Sequence, residues 1–268
     1  MLEPFSNQAS GLLGLGCQPG PRMVAVVSHG DEQAELPLLW QLCQTLVNFG
    51  YSVTVLDATC AESESNPGLA QLLDNSPWPD DDARDAPAWT VLPSTVGIQN
   101  LCASQGTSPQ SLRQLGHLFP AEGIVVLYCQ AESMIALTGE CNIEPLLAVS
   151  ASRASLLTSY IALKRLLITG KLRPTIINMI LDTDPAPMQP AQPASIGLSE
   201  CARKFLGCEV KTLTITEQTG DTPQDGEIQG LALRLLESAV ALAVDKGPMR
   251  ANKRAAHFVP SGLSAGRH

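Results

Sequence analysis

The chain has 268 residues, 44% of them hydrophobic and 4% aromatic, and a formal net charge of −9. That length suits one large α/β domain or two small ones, and Leu, Val, Ile and Ala must fill a core in which aromatics are scarce. The acidic balance excludes a general binder of DNA or of anionic lipid, because both need clustered Lys and Arg.

Residues 1–20 stand apart: FSNQASGLLGLG has the pattern of a short amphipathic helix, and CQPGP breaks it. The core begins at Met23. An apolar strand (Met23 to Val27) leads through a polar loop to a helix from Leu36 to Asn48, with Pro37 in its first turn, and then to a strand from Val53 to Asp57. Residues 74–88 are rich in Pro and Asp and predict an exposed loop. A short strand follows at Trp89 to Leu92, then a polar stretch over 94–110, and a helix from Ser108 to Leu118. Further strands are predicted at Ile124 to Tyr128, Pro145 to Val149, Thr175 to Ile180 and Val210 to Ile215. Helices are predicted over 130–140, Ala154 to Leu167, Leu198 to Leu206 and Ile228 to Val244, with a proline-rich loop at 183–194. This alternation predicts an α/β domain over 21–245, a mostly parallel sheet with helices on both faces, followed by a flexible basic tail at 246–268.

No apolar stretch reaches the ~18 residues of a membrane span. The N-terminus lacks the basic-then-apolar order of a signal peptide, so a cytoplasmic protein is expected. The eight cysteines are scattered without a C-x-x-C pair. They read as reduced, mostly buried thiols, with Cys129 and Cys141 as small core residues. The four histidines have no metal-type spacing.

The strand–loop–helix–strand order of residues 23–57 is the opening of a nucleotide-binding α/β domain. In such a loop bare backbone N–H groups wrap the phosphates, a lysine neutralises them and a Ser/Thr hydroxyl holds magnesium. Here the loop carries Asp31, Glu32 and Glu35, and Gly30 is its only glycine. Like charges ~4 Å apart repel by about 4 kcal/mol near a protein surface. The same acids favour the start of the following helix. The loop therefore reads as a good helix start and a poor phosphate cradle, or as an α/β unit that never bound nucleotide.

With these residues in view, the chain resembles the MinD/ParA group of deviant P-loop ATPases, and within it the flagellar regulator family FlhG (FleN). VSHGDEQAEL (27–36) aligns without gaps to the family loop TSGKGGVGKT, and the spacing to Gly50 and VTVLDAT is retained. On that alignment His29 replaces a glycine, Gly30 stands at the deviant lysine, and Asp31 and Glu32 stand at glycines. Glu35 stands at the Walker lysine and Leu36 at the magnesium-binding Ser/Thr. VSASRASLLTSYIALKRL (149–166) is similar to the family segment TTPEPTSITDAYALIKLL, with Ser155, Tyr160 and Lys164 matching and Thr158 at the Asp. SNQASGLLGL (6–15) is similar to the DQAxxLR element that stimulates the flagellar GTPase FlhF. Where the family strand ends in an acid, this chain has IVVLYCQAE, with Tyr128 and Cys129.

The resemblance implies a P-loop NTPase fold of the MinD type, a degenerate nucleotide loop (His29, Gly30, Asp31, Glu32, Glu35, Leu36) and no catalytic residue. ATP and Mg are not expected as cofactors, and no metal is. Residual nucleotide contacts would come from Asp57, at the acid of VDAD, and from Asn178, at the base-contacting asparagine. Read from the residues, Asp57 caps a loop or holds a magnesium water, and Asn178 makes an Asx-turn or reads a base. A lone loop histidine such as His29 reads as solvated, or as a ligand contact. The partner-binding residues would be Phe5, Gln8 and Leu12. The implied function is that of an inactive regulator of flagellum number or placement, acting through FlhF or a basal-body component, with membrane contact only indirect. A partner-dependent ATPase switch, or an accessory protein of another envelope machine such as cellulose secretion, are the alternatives.

Overall fold

Met23, Ala25 and Val27 face one side of the first strand and Val24 and Val26 the other, and all five are buried. A strand apolar on both faces must lie at the centre of a covered sheet. In the computed structural model, which describes residues 20–74, 89–103, 108–181, 193–217 and 226–242, it does. β1 (Arg22–Ser28) pairs in parallel with β4 (Ile124–Gln130) along its whole length, and with β5 (Leu146–Val149) near its carboxyl end. β2 (Val53–Asp57) lies beside β4, with β3 (Trp89–Pro93) outside it. β6 (Thr175–Ile180) and β7 (Lys211–Thr216) extend the other half. The order β3-β2-β4-β1-β5-β6-β7 is parallel throughout. β8 (Val240–Ala241) adds antiparallel pairs to the start of β1.

Helices cover both faces. α1 (Glu32–Asn48) and α8 (Gly226–Ser238) pack Leu38, Leu42, Leu231 and Leu235 against Val24, Val26 and Val126. The opposite face carries the other helices: α2 (Leu69–Leu73), α3 (Thr95–Ala103), α4 (Ser108–Gly116), α5 (Ala131–Thr138), α6 (Arg153–Arg165) and α7 (Ala194–Cys201). Helices on both faces of a mostly parallel sheet confirm the expected fold class. α6 and α7 each run on into a π-helical turn, Leu166–Gly170 and Ala202–Leu206, closed by left-handed Lys171 and Gly207.

Several local expectations are corrected. α1 begins at Glu32 rather than Leu36, because the Asp31 carbonyl already accepts the N–H groups of Ala34 and Glu35. Pro37 therefore lies inside the helix, in its second turn. α2 and α3 were not expected. The last helix ends at Ser238 and gives way to β8, not to a continuous helix through Val244. Of the described cysteines only Cys43 and Cys129 are buried; Cys60 and Cys102 are exposed and Cys141, Cys201 and Cys208 intermediate, all as free thiols. Among the described residues no helix is long and apolar enough to cross a membrane. Residues 1–19 of the predicted 1–20 segment, with Phe5, Gln8 and Leu12, the 246–268 tail and most of the 74–88 and 183–194 loops lie outside the described residues.

Candidate functional site

The loop joining β1 to α1 sits beyond the carboxyl end of the central strand, where the chain crosses to β2 on one side and β5 to β7 extend on the other. In open parallel sheets that switch point is the place for a ligand. Gly30 turns the loop with φ +92, a left-handed conformation that favours glycine. The first turn of α1 then brings Glu35 back over the loop.

Glu35 is fully buried, and its carboxylate fills the cradle. Oε1 accepts the backbone N–H of His29 at 2.9 Å and that of Asp31 at 2.9 Å. Oε2 accepts the hydroxyl of Tyr128, which comes up from the end of β4. Loop N–H groups at a helix start are the donors an external anion would use, and here an anion of the chain itself takes them. A buried carboxylate with two main-chain donors and a phenol is satisfied rather than stranded. Burial, together with the carboxylate it donates to, holds the Tyr128 phenol protonated well above the ordinary phenol range.

His29 is not solvated. Its side chain is only 2% exposed. Nε2 lies 2.7 Å from the Ala148 carbonyl and so carries the proton it donates there. Nδ1 is within hydrogen-bond distance of the Thr158 hydroxyl on α6, 2.8 Å away. The ring also stands 3.5 Å from Glu35 Oε1. Asp31 turns away from the cradle: its Oδ2 accepts the Ser150 hydroxyl at 2.8 Å. Ser150 N–H donates to Ser155 Oγ, and Ser152 Oγ caps α6 by accepting Ser155 N–H. The loop is thus tied to β5 and α6 through His29 and Asp31. Tyr160 is half-buried against the core and Lys164 is exposed.

A cleft of about 510 Å³ opens beside the loop, walled by His29, Gly30, Glu32, Thr59, Tyr128 and Arg165 among others. Arg165 is ion-paired to Glu132, another wall residue, which leaves the Glu32 carboxylate uncompensated among the lining residues. Among these lining residues a polyphosphate would meet no unpaired Lys or Arg side chain.

The predicted site residues therefore divide. His29, Gly30 and Glu32 border the cleft, and Glu35 occupies the cradle. Of the three loop carboxylates expected to crowd the phosphate position, only Glu35 does so. Leu36 and Asp57 instead line a separate apolar groove. Asp57 Oδ1 caps its own turn, accepting the N–H of Thr59 at 2.9 Å and the Thr59 hydroxyl at 2.6 Å. Asn178 is nearly buried in β6, between Val149 and Thr214, away from the cleft lining. Among the described residues no group of three acids, histidines or cysteines is placed to hold a metal. The roles of Tyr128, Thr158 and Ser150 were not foreseen. The available signal was that Glu35 and Tyr128 are paired departures from one family pattern, and they bond to each other.

No family model matches the sequence, and no curated protein matches it. Among solved structures the chain is similar to the MinD cell division protein of Aquifex aeolicus, at 12% identity and a TM-score of 0.49 over 82% of this chain and 99% of that one. It is similar to a ParA family ATPase of Chlorobium tepidum TLS, at 12% identity and a TM-score of 0.47 over 81% and 99% of the two chains. It is also similar to a plasmid partition protein of Borrelia burgdorferi, at 14% identity and a TM-score of 0.46 over 81% and 96%. At such identities no residue role passes from these structures to this chain.

Proposed function

We propose that this chain is a catalytically inactive regulator of the MinD/FlhG type, which acts on flagellum biogenesis through contacts with other proteins in the cytoplasm. The observation that carries the reading is Glu35. Its carboxylate takes the loop N–H groups that phosphate oxygens would need, in a loop without lysine. The motif resemblance over residues 27–59 and 149–166 supports the family part of the reading. The element at Phe5, Gln8 and Leu12 supports a flagellar partner, FlhF or a basal-body component.

Two measurements test it. Isothermal titration with Mg-ATP is expected to show no heat of binding at hundreds of micromolar, and sedimentation velocity no change of species on adding nucleotide; micromolar affinity would defeat the inactive reading. FlhF is expected to co-purify with the wild-type chain and not with Gln8→Ala. Failure to recover FlhF with the wild-type chain would remove that partner, and equal recovery with both would remove the role of Gln8; either result leaves the closed loop untouched.

A further inference from the structure

α6 turns Ser155, Ser159, Ala162 and Leu163 inward, and all four are buried. Its outer side carries apolar residues too. Leu157 is 63% exposed and Ile161 43%, and Ile168, in the π-helical turn that continues the helix, is 56% exposed. Spacings of four and seven put these three side chains along one line of the helix. At ~1.5 Å per residue the line runs for roughly 17 Å. Exposed apolar residues scattered singly need no explanation, but a contiguous stripe of them marks an interaction surface.

The charges of this face have one sign. Arg153 and Lys164 are exposed on the same side, and Arg165 stands beside them, paired to Glu132 of α5. Over residues 145–181 the chain carries Arg153, Lys164, Arg165, Lys171 and Arg173 and not one Asp or Glu, although acids outnumber bases 26 to 17 in the whole sequence. The net charge of −9 therefore does not describe this face. Lys164 lies within the stripe, three residues after Ile161 and four before Ile168, and makes no ion pair among the described residues. An ammonium inside an apolar contact is costly unless a carboxylate meets it. An anionic bilayer matches a stripe whose bases lie on the polar side of the helix. A protein helix can set a single carboxylate opposite a base in the middle of the stripe, and such a pair also fixes register.

We infer that the outer face of α6 is a docking surface for an acidic amphipathic helix of another protein, which sets apolar side chains against Leu157, Ile161 and Ile168 and carboxylates against Arg153 and Lys164. A helix laid along α6 offers anchors at the matching spacings of three and four residues. The inference rests on the reading that the chain acts through protein contacts, and not on the partner being FlhF or on the state of the loop. Of this face only Ile161 and Arg165 also wall the cleft beside the loop.

The test uses a matched pair of designed helical peptides, labelled with fluorescein and titrated with the full chain by anisotropy. Both carry leucines along one side; one has glutamates around them and the other lysines. The glutamate peptide is expected to bind saturably, and the lysine peptide at least roughly tenfold more weakly. Lys164→Glu is expected to weaken the glutamate peptide by about tenfold and to strengthen the lysine peptide. Leu157→Ala combined with Ile161→Ala is expected to weaken the glutamate peptide by about tenfold, through lost apolar contact. Urea midpoints show that each variant is folded. Gln8→Ala is expected to bind the glutamate peptide as the wild type does, so this face and the FlhF assignment fail separately. The chain is expected not to sediment with vesicles of phosphatidylglycerol and phosphatidylcholine in equal parts. Sedimentation that Lys164→Glu abolishes would give the face to lipid and overturn the assignment. No saturable binding of the glutamate peptide, equal affinity for the two peptides, or an unchanged constant in Lys164→Glu would each overturn it as well.

Discussion

Removing the Glu35 carboxylate strands several donors at once: the N–H groups of His29 and Asp31 and the hydroxyl of Tyr128. Each buried donor left without an acceptor costs about 1–3 kcal/mol, so Glu35→Leu is expected to cost about 2–4 kcal/mol once the loop has partly rehydrated. Glu35→Gln keeps one acceptor oxygen and is expected to lose about half of that. The check is the urea midpoint at constant slope, together with hydrogen exchange at the His29 and Asp31 amides. If those amides exchange as fast in the wild type as in Glu35→Leu, the carboxylate does not hold them. The residues made the loss of the lysine and the acidity of the loop plain, but the sign of Glu35 was hidden. Counted as a charge, it crowds an incoming phosphate; placed in three dimensions, it substitutes for one. Nothing in the spacing of residues 28–36 shows that the side chain at 35 folds back, since its hydroxyl partner lies 93 positions away. His29 was misjudged for the same reason, as its partners come from β5 and α6.

At the scale of elements, one carboxylate organises the half of the sheet beyond β2. Glu62 accepts the N–H of Ala70 at 3.2 Å in α2, and those of Val96 at 2.7 Å and Gly97 at 2.8 Å in α3. It caps two helix starts together, with negative charge at both positive ends. Glu62→Ala is expected to lower stability by about 1–2 kcal/mol, read as a drop in the urea midpoint with an unchanged slope. The bounds of β2 and β6 were legible because both are mostly apolar or β-branched runs with a breaker before them, β2 closed by Asp57 and β6 interrupted only by Asn178. α3 was not, because TVGIQNLCA has a glycine in its first turn and little apolar periodicity. That glycine is where α3 meets α2: a Cβ on Gly97 would come within 2.7 Å of Leu69 Cγ. The end of α8 was overrun because LESAVALAV keeps an apolar rhythm while the backbone leaves the helix to pair with β1. Which of the two wins is decided by the free edge at Arg22 and Met23, a tertiary fact.

For the molecule as a whole, buried acids set its response to alkali. Burial pushes the Cys43 thiol up to about 12, and it raises Cys129 and Tyr128 as well. In the unfolded chain thiols ionise near pH ~8.5 and phenols near ~10. The folded state therefore keeps protons that the unfolded state releases. The stability these groups contribute is fully present below pH ~8.5 and is lost as pH rises toward the folded values, by about 1.4 kcal/mol per pH unit for each group. Urea denaturation at pH 7.5, 9.5 and 10.5 is expected to show a falling midpoint, with a shallower fall in Cys43→Ala; a flat wild-type profile contradicts it. The closed loop has a different kind of outcome at this scale. A bound nucleotide has an off-rate, and a cell can exploit it as a timer, but a carboxylate on the chain's own helix never leaves and is never spent. On the proposed reading, a molecule whose loop takes no nucleotide keeps no record of time, and its influence is a matter of dose: how many copies are made, and how soon they are destroyed.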